Sequence, residues 1–244
     1  MVAVSKRCTP TPTPSPAVPK TPIPTPIPST NDLLGDVSGF KVKDIADLTR
    51  DVISGFSADQ LSQLSDDAVA GFTRKQFKQL SAEAISGLSA GQVSELSPKV
   101  VNGFTADQIE QLSKRTFKAL ETTQLAKLSK DAVTGLTTNQ LGTLSGGELS
   151  VFKPQKIKLI DANAISGLKP NALDALNKRQ VKAFTDDQLA GLSKKQIKKA
   201  DDFIDALSSR QLRALPFVNS RRQIKQMFCT LPRLSVQSAF RLQM

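Results

Sequence analysis

The chain has 244 residues, 33 Lys+Arg against 22 Asp+Glu, a formal net charge of +11, and no His, Trp or Tyr. Without histidine there is no imidazole general base, no Ser–His or Cys–His pair and no imidazole metal ligand. Two cysteines, Cys8 and Cys229, are too few for a zinc site or a disulfide framework.

The excess positive charge sits at the ends. Residues 1–30 carry Lys6, Arg7 and Lys20 and no acid. Residues 208–244 carry Arg210, Arg213, Arg221, Arg222, Lys225, Arg233 and Arg241, again with no acid. Residues 31–207 then hold 23 basic and 22 acidic side chains, close to neutral. A nearly neutral body exerts little pull on phosphates, so the sequence assigns any nucleic-acid or anionic-surface binding to the Arg-rich end.

In chain order, the first element is Pro/Thr-rich. Residues 9–30 read TPTPTPSPAVPKTPIPTPIPST. Proline fixes φ and removes backbone donors, so residues 1–32 are expected to be a disordered linker or semi-rigid stalk rather than helix or sheet. A PxxP ligand for an aromatic groove, or a modified Thr/Ser stalk, is the other reading. No run approaches the ~18 apolar residues of a membrane span. The start also lacks the apolar stretch of a secretory signal. The expectation is a cytoplasmic protein, or one exported without an N-terminal signal. A fragment of a larger repeat protein is a further reading.

From Leu33 the chain divides into octads without a gap, 21 of them across residues 33–200. They are numbered here from octad 1 (33–40) to octad 21 (193–200). Position 5 is apolar in all 21, from Val37 and Ile45 to Ile197, and so is position 8, from Phe40 to Ala200. Position 1 is Ser or Thr in 14 octads, with Asp161 and Asn177 in two more. These residues cap helix N-termini. Position 4 is Gln or Glu in ten, which completes the capping box. Pro98, Pro154 and Pro170 all fall at position 2, the first helical position, where a missing amide costs nothing.

A continuous helix fails this pattern. Eight residues advance ~800°, so the apolar stripe would wind around the rod. Strands fail too, because apolar spacings of 3 and 5 do not alternate. The prediction is an all-α solenoid of very short helices, about two turns each, with positions 5 and 8 on one face. Position 7 adds a 16-residue period. It is Gly at 39, 55, 71, 87, 103, 135 and 167, with Ala119 and Ala183 at two of the gaps. The octads therefore pair into 16-residue units. Two reasons compete for the glycine: a left-handed helix stop, or close approach of a neighbouring helix.

After Ala200 the register slips. Asp201–Leu207 is one residue short, Ser208–Leu215 is regular, and Pro216–Asn219 interrupts. Residues 220–227 restore the pattern once, and the rest is irregular and basic. The predicted organisation is a linker at 1–32, the repeat at 33–215 and a basic tail at 216–244. The tandem [ST]xxQΦxxL motif, as in Thr105-Ala106-Asp107-Gln108-Ile109-Glu110-Gln111-Leu112, resembles the short helical repeats of LTxxQIxxL type in large repetitive bacterial surface or secreted polypeptides. The resemblance covers about 33–215 and implies a repeat array.

No catalytic constellation emerges. Asp66-Asp67, Asp186-Asp187 and Asp201-Asp202 are paired carboxylates. The first two pairs lie in the first turn of an octad, where acids favour the helix dipole. Gly146-Gly147 lacks the Lys-Ser/Thr of a phosphate loop. Cys229 reads as a small apolar residue rather than a reactive thiol. No enzyme, cofactor or metal is expected. Two classes of function remain open. One is a structural or protein-interaction solenoid with an unknown protein partner. The other is nucleic-acid or anionic-surface binding by the Arg-rich tail.

Overall fold

The computed structural model describes residues 35–216. The expected stalk at 1–32 and most of the basic tail lie outside the described residues, as do Cys8, Cys229, Arg221, Arg222, Lys225, Arg233 and Arg241.

From octad 2 onward helices follow the octads one for one, as in Ala58–Gln63, Asp66–Val69, Arg74–Phe77, Ala82–Ile85 and Ala90–Glu95, with a 3-10 turn in octad 17. Most start because a position 1 oxygen takes a free amide of the first turn, while the helices after Lys41, Thr49, Lys153, Lys169 and Ala200 have no such side-chain bond. Ser57 Oγ accepts from the Gln60 N–H at 3.2 Å, and Ser65 Oγ from the Ala68 N–H at 3.1 Å. Through octad 20 the position 8 amide bonds the position 5 carbonyl as the helix ends, as in Leu64 to Leu61 at 3.3 Å and Leu88 to Ile85 at 3.1 Å. The array is all-α, and no described helix is long and apolar enough to cross a membrane.

The helices are shorter than the sequence predicts, four to six residues and so little more than one turn. Two extended residues per octad are the reason. Position 1 must leave helical space to cap the next helix, as at Ser57 (ψ 167°) and Thr105 (ψ 169°). Position 8 leaves it too, as at Leu64 (ψ 139°) and Leu96 (ψ 125°). Position 8 therefore does not share a helical face with position 5. It is the linker residue, and it turns inward after the helix has stopped.

The slip after Ala200 follows from the same geometry. Ala200 (φ −113°, ψ 68°) ends the helix Lys194–Lys199 and also caps the start of Asp201–Asp205. One junction residue does the work of two, so the short octad keeps its helix and loses only linker.

Both apolar positions are buried along the whole array. Position 5 is no more than 4% exposed from Val37 to Ile197. Position 8 is buried from Phe56 to Ala200, while Phe40 and Leu48 are half-buried against the same core. Packing partners are not sequence neighbours. Asp66–Val69 packs on Ala90–Glu95, Ala82–Ile85 on Ala106–Gln111, and Thr138–Leu141 on the 3-10 turn Ala164–Gly167. Each of these pairs is three octads apart. Side-chain hydrogen bonds also join octads four apart, as in Gln92 Nε2 to the carbonyls of Leu61 and Leu64. One superhelical turn thus contains between three and four octads.

Close approach explains the position 7 glycines from Gly71 onward, while Gly39 and Gly55 near the start of the array meet no neighbouring turn. No described residue has positive φ, so the helix-stop reading is excluded there. A β-carbon at Gly71 would strike the Val42 carbonyl, at Gly87 the Ala58 carbonyl, at Gly135 the Ala106 carbonyl and at Gly167 the Thr138 carbonyl. Position 7 of one octad lies on position 2 of the octad three earlier. Because three is odd, the 16-residue period sets a glycine octad on an octad without one; Gly191 falls outside that period and lies on Ala162 of octad 17, which carries Gly167.

This geometry separates two glycines that look alike in sequence. Gly135→Ala must move backbone and is expected to lose ~1–3 kcal/mol. Gly147→Ala meets nothing within 4 Å in an ordinary helical position and is expected to gain ~0.5–1 kcal/mol. Urea unfolding of the two variants checks the opposite signs.

Candidate functional site

The most elaborate polar structure in the array is built at position 4. Gln92 is 1% exposed and makes two kinds of bond with one amide. Its Oε1 accepts from the Ser89 N–H at 2.7 Å, closing the capping box of its own octad. Its Nε2 donates to the Leu61 and Leu64 carbonyls at 2.6 and 2.7 Å, four octads back. Gln108 repeats this on Phe77 and Leu80, Gln140 on Ile109 and Leu112, Gln188 on Ile157 and Ile160, and Gln196 on Ile165 and Leu168. The position 8 carbonyl has left the helix and has no helical donor. The glutamine supplies one.

Reading the sequence as capping boxes captures only the Oε1 half. A signal for the other half is present: nine of the ten boxes use Gln although Glu would suit the helix dipole better. The exception is Glu148, which caps Ser145 through Oε2 and has no proton to give. Thr116 at this position substitutes a hydroxyl, donating to Leu88 at 3.1 Å. Lys156 substitutes an ammonium, donating from Nζ to Ala126 at 2.8 Å. Burial lowers the Lys156 pKa, and Lys153 and Lys127 lower it further.

The remaining chemistry is dispersed. Asp66-Asp67 and Asp186-Asp187 are exposed first-turn residues, and Asp201-Asp202 opens its helix in the same way. Gly146 packs against Ala175, so the double glycine answers to packing on one side and open space on the other. Among the described residues no group of three or more Cys, Asp or Glu converges as a metal site. Arg210 and Arg213 are both exposed, and the structure does not join them into a cationic pair. Arg210 pairs instead with Asp186 at 3.2 Å, beside a depression floored by Phe184. Such an exposed pair is worth at most ~1 kcal/mol. Asp174 accepts from the Phe203 N–H at 3.0 Å. Its pKa is raised, chiefly by burial, with Asp202 and Asp201 adding to the shift.

Most charged residues lie on positions the core does not use. Across octads 2–21, positions 2, 3 and 6 are never buried. Their charge is segregated along the array. Residues 35–111 hold 7 basic and 11 acidic side chains, and residues 112–216 hold 18 basic and 10 acidic. The near-neutrality of the body conceals an acidic half followed by a basic half. No protein-family model matches the chain, and no curated protein matches it in sequence.

Two substitutions test the clamp. Gln108→Glu keeps the cap but aims a buried carboxylate at two carbonyls, with an expected loss of ~3 kcal/mol or more at neutral pH. That carboxyl's folded pKa would be raised, so the loss should shrink as pH falls through it. Gln63→Glu, at exposed position 7, should be near neutral. Paired urea titrations at neutral and acidic pH read both.

Lys156→Gln restores the standard clamp, with Leu125 and Leu128 as the acceptors by register. Its expected gain is about 1 kcal/mol near pH 7, or ~2–4 °C in Tm. The charged form of Lys156 is disfavoured in the folded state, so the wild-type penalty fades as pH rises through the lowered pKa toward 10.5. The advantage of the variant should narrow there in thermal melts.

Proposed function

We propose that this chain is a non-catalytic structural or protein-interaction repeat module. The observation that carries the reading is a division of labour within each octad. Positions 1, 4, 5, 7 and 8 serve capping, clamping and packing, while positions 2, 3 and 6 face outward and vary. A constant frame with a variable surface is how repeat arrays build extended binding faces. Conversely, the Ser, Thr and Gln side chains that could take part in chemistry are used for holding the array together.

The Arg-rich end supports the second reading less well within the described residues, since Arg210 is already answered by Asp186. The test is lysine-directed cross-linking of the full-length chain in its native extract. A protein partner should be captured through lysines at positions 2, 3 and 6 of contiguous octads. Capture should be lost on changing those side chains without a change in Tm. Recovery of nucleic acid alone, lost on neutralising Arg221 and Arg222, would replace this reading with the tail-binding one.

A further inference from the structure

Octads 16 (153–160) and 19 (177–184) are separated by two intervening octads in sequence. In the fold their helices, Pro154–Ile157 and Lys178–Val181, pack against each other. Each contributes three cations and no acid: Lys153, Lys156 and Lys158 from one, Lys178, Arg179 and Lys182 from the other. All but Lys156 are exposed. Lys127 of octad 12, one turn earlier, is exposed and close enough to Lys156 to act on it. Arg210, by contrast, is joined to an acid on a neighbouring turn, Asp186. Across octads 16 and 19 there is none, and the mutual repulsion of the lysines is left unrelieved.

We infer that this face binds the phosphate backbone of duplex nucleic acid. Lysine ammoniums are point charges that contact phosphate without base-specific geometry. Single-stranded binding needs aromatic platforms. The chain has no Tyr or Trp, and Phe152 and Phe184, the phenylalanines of these octads and their neighbours, are buried. This face offers a protein partner no apolar or aromatic anchor and a membrane no apolar wedge. The one large apolar side chain exposed among the described residues is Val42, in the acidic half of the array. Octads 4, 7 and 10, which pack in a row, carry Asp59, Glu83, Asp107 and Glu110 and no cation. Those acids would hold a duplex away from the first half and confine it to the second.

The full-length chain and a random-sequence DNA duplex of ~25 base pairs test this by fluorescence anisotropy between 50 and 200 mM salt. Lys153→Gln/Lys158→Gln/Lys182→Gln removes three exposed cations from the face. The slope of log K against log salt should fall in magnitude by roughly 2.7, at ~0.9 per lost contact, with at least a tenfold weaker Kd at the lower salt. Lys194→Gln/Lys195→Gln/Lys198→Gln has the same net charge but alters octad 21, which packs on octad 18, and should change the slope by less than 1. The corresponding Lys→Arg triple on the face should retain binding, which separates lost charge from lost folding. Equal effects of the two neutral triples would overturn the inference in favour of diffuse net charge. Loss of binding only on neutralising Arg221, Arg222 and Lys225 would overturn it in favour of the tail. Equal or tighter binding of a single strand, or of polyglutamate, would overturn the assignment to duplex. Capture of a protein that the face triple leaves intact bears on the interaction reading above, not on this one.

Discussion

One amide, repeated, holds successive turns of this molecule together. A helix of four to six residues cannot satisfy its own ends, and linking such helices through extended residues leaves a bare carbonyl at every position 8. In a buried array that carbonyl would be costly. In the octads that carry it, from Gln76 onward, the position 4 glutamine solves the problem across a turn, because its oxygen serves the cap below and its nitrogen serves carbonyls about four octads earlier. The reach of 28 and 31 residues, seen for Gln92, Gln108, Gln124, Gln140, Gln188 and Gln196, thereby sets how far the chain advances per superhelical turn.

The rest of the architecture is arranged around that clamp. Position 7 is small where the next turn must descend close enough for the amide to reach, with the Gly87 and Gly135 α-carbons lying against backbone. Position 8 is apolar because the residue whose carbonyl is clamped also has its side chain turned into the core. Where the clamp is replaced, the replacements are informative. Thr116 and Lys156 are still donors. Glu148 keeps only the capping half. No described buried side-chain nitrogen or oxygen is left without a partner, so the internal polar side chains of the array are all bonded.

Function, on this view, belongs to what the frame leaves over. The outward positions are free to differ from octad to octad, and they differ most in charge. A linear reading averages the 23 basic and 22 acidic residues of 31–207 to almost nothing. The superhelix instead stacks octads 24 residues apart. Octads 4, 7 and 10 become an acidic row and octads 16 and 19 a basic face. Positive charge is therefore concentrated on the folded body as well as at the Arg-rich end, where Arg210 is paired with Asp186.

The octad sequence alone determined the local structure. Caps at position 1, first-turn prolines such as Pro98 and apolar positions 5 and 8 are short-range signals, each acting within eight residues, and they were sufficient for helix placement and core identity. It also determined that glycine at position 7 had a structural reason. Which reason was decided by the tertiary structure, since the carbonyl that excludes a β-carbon at Gly87 belongs to Ala58, three octads away. The same limit applies to the inward turn of position 8, the second half of each glutamine and the clustering of Lys153 with Lys178. All of these depend on how many octads make a turn. No residue specifies that number by itself, because it emerges from the balance of side-chain packing at three octads and hydrogen bonding at four.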